Sequence, residues 1–250
     1  MPAQFDLTVI SNFRITPHMR RLVLGGSDLS SFPKDQASGY VKVSLQDENR
    51  KEVRRSYTIR SFDGVKLTLD FVDHGPLGPG SQWAGSALVG STVRIFGPGE
   101  KKLADSRADW FFFGGDMSAL PAISVNLETL ASSAKGYAVI EIPDEKDKQP
   151  LAHPAGMQLI WVVEDVSQRP NETLTTKIRS LDWLEGDPYP WFAGEFEGMR
   201  DMRSFFRDEK KIDRKNMYLS CYWKSGESDE GMKKAKFLDA QKDRERLTMK

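Results

Sequence analysis

The sequence predicts a two-domain β + α/β protein, in which an N-terminal antiparallel six-stranded β-barrel precedes a parallel-sheet α/β domain. Two observations predict this. Over roughly the first hundred residues, short β-branched or aromatic runs alternate with polar positions at a period of two, as in Tyr40-Val41-Lys42-Val43-Ser44-Leu45, between glycine, proline and acidic turns. From about residue 109 the runs become continuously apolar and alternate with helical stretches, the pattern of strands covered on both faces. A chain of 250 residues has room for both cores.

The barrel runs are 5–10, 20–24, 40–45, 54–59, 65–71 and 92–96, and closure of such a sheet removes its exposed edges. The change of pattern near 102–108 divides the chain into a barrel over 1–104, an α/β domain over 105–225 and a lysine-rich segment over 226–250. In the second unit, strands are expected at 110–113, 137–142, 158–163, 190–193 and 217–222, with helices at 119–132, 172–184 and 199–211. The last segment has a thin apolar stripe of Phe237, Leu238 and Leu247, and Gly226 and Gly231 weaken its start. It reads as a basic surface helix or as a frayed tail.

Lysine and arginine balance aspartate and glutamate at 36 each, so the molecule as a whole lacks the positive field that drives most nucleic-acid binding. No apolar run approaches the roughly 18 residues needed to cross a bilayer, which argues against membrane insertion. Residues 1–7 contain Asp6 and lack the basic-then-apolar order of a secretory leader, so a cytoplasmic location is expected. Cys221 is the one cysteine and excludes an internal disulfide. His18, His74 and His153 are too scattered for a spaced ligand set, and no structural metal is expected. No feature calls for an oligomer, and a monomer is expected.

Three segments can carry chemistry. In Arg54-Arg55-Ser56-Tyr57-Thr58-Ile59-Arg60, Arg55 and Tyr57 share one face of a strand. A flavin needs a cation for its phosphate, a flat surface to stack on and a donor near its ring nitrogens, which Arg55, Tyr57 and Thr58 supply in turn. A half-exposed strand with solvated arginines and a packed tyrosine gives the same pattern. Residues 70–84 run from a strand through a glycine-rich turn into a helix, whose first amides and dipole suit a pyrophosphate, with Ser81 adding a hydroxyl. An ordinary loop is the alternative there. Residues 113–123 lead from the first parallel strand into its helix, where open α/β sheets bind nucleotides, although Asp116 also fits a plain helix cap.

In that order, and with Ala193-Gly194-Glu195 and Tyr222-Trp223 further on, these segments resemble the siderophore-interacting proteins among the ferredoxin-reductase-like flavoenzymes. The resemblance covers most of the chain. It implies a barrel that binds FAD and a nucleotide-binding parallel domain that receives NADH or NADPH. By position, Arg55, Tyr57 and Thr58 would contact the FAD phosphate, ring system and N5 region, with Tyr57 and Thr58 nearest the chemistry. Asp70, Val72, His74, Ser81 and Ala84 would line the rest of the FAD site. Gly115, Asp116, Ser118 and Ala119 would belong to the nicotinamide-facing loop and Glu195 to its partner loop, with Tyr222 and Trp223 as further cofactor-binding residues. Met117 and Ser118 stand where relatives often carry glutamate and threonine, and Cys221 where glycine is common, which leaves NADH, NADPH and ferredoxin open as donors.

The implied activity is reduction of Fe(III) in a ferric siderophore to Fe(II), the iron arriving with its chelator. Such anionic chelates call for a basic surface, for which Lys51, Arg54, Lys101, Lys102 and Lys250 are candidates beside an ordinary solvated role. A flavin reductase that serves ferredoxin and a non-catalytic siderophore-binding protein are the alternatives.

Overall fold

The structure, a computed structural model, describes residues 3–75 and 78–248. Strands β1 (Gln4–Thr16), β2 (Met19–Gly25), β3 (Tyr40–Gln46), β4 (Glu52–Phe62), β5 (Lys66–Val72) and β6 (Thr92–Gly99) close an antiparallel barrel in the order β1-β2-β5-β4-β3-β6. The period-two pattern decides what faces inward: Leu7 and Val9, Val41 and Val43, and Leu67, Leu69 and Phe71 are buried together. A slip of one residue in any of these strands would turn its apolar set outward. Helix α1 (Pro79–Ser86) lies against this core through Ala84, with Trp83 partly buried beside it. Gly78, at φ 78°, makes the turn into α1, and Pro79 opens the helix where no backbone donor is needed.

The second sheet is parallel and five-stranded, as the continuous apolar runs imply. Its strands β7 (Trp110–Gly115), β8 (Lys135–Ile142), β9 (Gly156–Val163), β10 (Pro188–Glu195) and β11 (Tyr218–Trp223) lie in the order β11-β10-β7-β8-β9. Helix α2 (Leu120–Thr129) packs on one face, and α3 (Glu172–Arg179) with α4 (Phe196–Arg203) on the other. The helix expected from residue 199 starts at Phe196, because the Glu195 carboxylate accepts the amides of Glu197 (2.5 Å) and Gly198 (3.4 Å) and caps it there. It continues as a π-helical stretch over Ser204–Glu209, where the consecutive Phe205 and Phe206 are both buried. The helix expected over 172–184 ends at Arg179, and Leu181, Trp183 and Leu184 pack against the core from irregular chain.

The C-terminal segment forms α5 (Asp229–Thr248), held mainly by charge. Arg203 grips Asp239 with bonds of 2.7 and 2.8 Å, Arg207 grips Asp243 with 2.7 and 2.6 Å, and Arg246 reaches back to Asp208. The first two pairs are both separated by 36 residues, so the two helices run in the same direction and in register. Among the described residues, no helix is long and apolar enough to cross a membrane.

Barrel and sheet share contacts that fix one against the other. Met19, the first residue of β2, is buried in the core beneath the parallel sheet, with Ile15 and Val72 packed beside it. His18 donates its amide to Asp147 Oδ1 (2.8 Å), its ring nitrogen lies 2.6 Å from Oδ2, and Asp147 is wholly buried. Asn126 of α2 pins the connecting chain, accepting the Ala104 amide (2.8 Å) and donating to the Lys102 carbonyl (3.1 Å). Asn126→Ala strips the Ala104 amide of that acceptor, and a loss of about 1–3 kcal/mol in unfolding free energy is expected in urea denaturation. A denaturation midpoint equal to the parent's would show that the connection is held by other contacts.

Candidate active site

The barrel half of the site is built on β4 and α1. Arg55, Tyr57 and Ile59 alternate with outward-facing Arg54 and Ser56, and Thr58 takes the face opposite Tyr57. The Tyr57 ring lies 4.0 Å from that of Phe71 at 34° and packs against the barrel core. Gly80 of α1 sits on the Tyr57 hydroxyl so closely that a methyl group there would collide with it. Burial pushes the phenol well above its ordinary value, against the opposing pull of the Arg55 charge, so the ring is a neutral surface at any physiological pH. Arg55 is 28% exposed and stands 3.9 Å from Asp229 at the start of α5. One barrel corner therefore holds a cation, an aromatic ring and the first amides of a helix, a donor set that fits a flavin dinucleotide.

The other barrel residues fall into distinct places. Asp70 faces outward and is clamped by Arg21 through two bonds of 2.7 and 2.8 Å, so its carboxylate is already committed. Ala84 is 1% exposed, and its methyl belongs to the barrel core while its carbonyl accepts from Asn12 (2.8 Å). Ser81 is buried as well: its hydroxyl accepts the His74 amide (2.9 Å) and donates to the Gly75 carbonyl (2.8 Å), which shapes the turn before α1. His74 is exposed on that turn, and Val72 packs toward the parallel sheet.

The second half lies at the carboxyl ends of β7, β8, β10 and β11. Gly115 ends β7, where a side chain would meet the Ala193 carbonyl and Ala119, itself fully buried. Asp116 accepts the Ser118 amide (2.9 Å) and hydroxyl (2.5 Å) on one oxygen and the Trp223 indole N–H (2.8 Å) on the other. Glu195 caps α4 with one oxygen and accepts the Ser225 amide (3.1 Å) with the other. Tyr222 packs against the sheet core, where burial drives its phenol far above its usual value, whereas Trp223 is 37% exposed. Asp116, Ser118, Glu195 and Trp223 are thus brought to one edge.

Two further residues join them, Glu141 at the end of β8 and Asn171 before α3. Their only sequence signal is a lone acid inside the apolar run Tyr137-Ala138-Val139-Ile140-Glu141-Ile142. Burial raises the Glu141 carboxyl to about 7, opposed by its bonds from Asn171 and the Leu174 amide and reinforced by Asp116 and Glu164.

The basic candidates do not form an unopposed patch. Arg54 lies over the Phe96 ring at 3.6 Å and near Glu52, Lys101 pairs with Asp35 at 2.7 Å, and Lys102 pairs with Glu100 at 3.3 Å. Lys51 is exposed next to the turn between β3 and β4. Lys250 lies outside the described residues.

Comparison with known proteins places this geometry. Residues 108–226 match the family described as Siderophore-interacting protein, and residues 8–54 and 45–102 match the Siderophore-interacting FAD-binding domain. Ferric vibriobactin reductase ViuB of Vibrio cholerae is 34% identical over 238 residues, covering 86% of this chain and 88% of the relative. The crystal structure of the siderophore-interacting protein SipS from Aeromonas hydrophila superposes with a TM-score of 0.85 at 29% identity, over 96% of this chain and 99% of that one. A siderophore utilization protein from T. fusca gives 0.80 at 27% identity, over 91% and 95%.

The buried Glu141 has a consequence for stability. Its folded value near 7 exceeds the ordinary 4.5, so the folded state holds this proton more tightly and loses stability as pH rises from 4.5 to 7. Glu141→Gln lacks that loss and should gain on the parent by about 3 kcal/mol across this window, measured by denaturant titration at a series of pH values. Parallel pH profiles for the two proteins would contradict the raised value.

Proposed function

The chain belongs to the siderophore-interacting protein family, and from that membership we propose that it is a cytoplasmic FAD-dependent ferric-siderophore reductase. Its electrons come from NADH or NADPH, or from a ferredoxin, and its product is Fe(II) released from the chelator. The observation that carries this function is the barrel corner in which Arg55, Tyr57 and the start of α1 converge.

Arg55 holds a phosphate by charge, and the first amides of α1 hold its neighbour by hydrogen bonds and helix dipole. Tyr57, kept neutral by burial, offers its ring as a stacking surface, and Thr58 carries a hydroxyl on the opposite face of β4. FAD, when bound, supplies the capacity to take up two electrons together and give them out singly. Asp116 and Glu195 turn the ends of β7 and β10, where Gly115 and Gly194 admit the close approach of Ala119 and Asn171, and the edge shaped in this way would receive a nucleotide. Trp223 covers that edge with its indole N–H held by Asp116. Fe(III) is substrate, bound by the oxygen donors of its chelator. Those hard donors hold Fe(II) less tightly, so reduction loosens the metal. Lys51 and Arg54 are exposed on the barrel surface, where their charge would draw an anionic chelate.

Purified protein mixed with FAD should retain a flavin absorption band that bleaches anaerobically with NADH, NADPH or reduced ferredoxin and returns when a ferric tris-catecholate is added. Protein that stays colourless, or a band that stays bleached after the ferric chelate, overturns the proposal. Arg55→Ala should weaken FAD retention by about 10- to 100-fold in a fluorescence titration, the effect of losing one charge-assisted bond. Unchanged affinity would remove Arg55 from the site.

A further inference from the structure

Asn171 crosses the floor of the nucleotide edge and bonds to the ends of three strands. Its amide donates to Asp116 beyond β7 (3.3 Å) and to Glu141 of β8 (2.6 Å), while its carbonyl accepts the Glu195 amide of β10 (2.8 Å). It is 2% exposed and held at φ 63°, a left-handed conformation that asparagine tolerates better than most residues. The neighbouring chain is cleared for it: a side chain at Gly194 would lie 3.0 Å from Asp116 Oδ2, and one at Gly198 would lie 2.8 Å from the Asn171 Cβ. Both amide hydrogens are therefore engaged, and each on a carboxylate.

We propose that Asn171, held by Glu141, is a positioning residue for electron-donor binding, which locks loop 115–118 against loop 194–198 and through Asp116 sets the Trp223 indole. What these loops face rests on the function proposed above.

Asp116, Glu141 and Glu195 are each less than 10% exposed, and buried carboxylates are tolerated only when donors satisfy them. The Asn171 amide does this for two of them at once, so its loss leaves two acids facing each other across an unbridged gap. Both oxygens of Glu141 accept, one from Asn171 and one from the Leu174 amide (3.1 Å). A protonated carboxyl has to present a hydrogen at one of these places and so gives up one bond. The charged groups around Glu141 are Asp116 beyond β7, Glu164 and Asp165 beyond β9, and Arg169 before α3, which is paired with Glu172 at 3.0 Å. Burial brings the Glu141 titration to about 7, so the tether on Asn171 loosens as pH falls through that range.

The test uses the full chain loaded with FAD and compares Asn171→Gly, which keeps the left-handed backbone, and Glu141→Gln with the parent. Anaerobic stopped-flow mixing with NADH and NADPH gives the donor dissociation constant and the limiting rate of flavin bleaching. Asn171→Gly should raise the dissociation constant about tenfold, with a smaller change in limiting rate, as expected for one buried hydrogen-bonded group. The parent's dissociation constant should rise as pH drops below about 7, and Glu141→Gln should flatten that dependence. Parent-like binding and pH profiles in both variants, even with lowered melting temperatures, would reduce the network to scaffolding and overturn the proposal. Hydrogen exchange gives a separate arm: Asn171→Gly should speed exchange at the Glu195 amide, and no change there also overturns it. If the parent's flavin is not bleached by either nucleotide, the nicotinamide route of the proposed function fails, and the exchange arm still decides whether Asn171 locks the two loops.

Discussion

The burial of Met19 beneath the parallel sheet is the contact on which the geometry of the site depends. Met19 opens β2 and so belongs to the barrel by sequence, yet its side chain is 1% exposed within the core of the other domain. Burying such a side chain contributes about 1.5–3 kcal/mol, and His18 on Asp147 adds a directional bond beside it. Asn126 fastens the connecting chain from the opposite side, and Arg60 of β4 reaches Glu128 of α2 at 2.8 Å. The barrel corner with Tyr57 and the sheet edge with Asp116 are thus joined through these contacts.

The two halves treat charge differently. On the barrel, Asp70 is neutralised by Arg21 in a direct bidentate pair, and Arg55 has a longer ion pair with Asp229. At the sheet edge, Asp116, Glu141 and Glu195 are buried with neutral donors: backbone amides, a serine hydroxyl, an indole and one asparagine. Neutral donors fix these acids in place without pairing them with a cation, beside the corner proposed to receive the FAD phosphate.

Much of the fold was legible in the sequence because its signals are local. Strict alternation in 40–45 and 65–71 specifies which residues enter the barrel, and the continuous runs at 110–113 and 137–142 require a sheet covered on both faces. Helix α5 was not decidable from its apolar stripe, since Asp239 and Asp243 are matched to Arg203 and Arg207 at a distance of 36 residues that hydropathy does not register. The candidate site divides in the same way. Arg55, Tyr57, Asp116 and Glu195 stand in short motifs, so their grouping could be read. Asn171 sits in an unremarkable turn, and its importance arises only when β7, β8 and β10 are laid side by side. Ala84 shows the converse, since a motif position can mark backbone and packing where a ligand contact is expected.

Release of ferrous iron is the most direct measure of the proposed activity. With FAD-loaded protein, excess electron donor, a ferric tris-catecholate and a coloured Fe(II) chelator under anaerobic conditions, iron should be captured at a rate proportional to protein concentration. It should exceed the rate given by the same concentration of free FAD. Bleached flavin with Fe(II) capture no faster than that control would contradict a ferric-siderophore reductase.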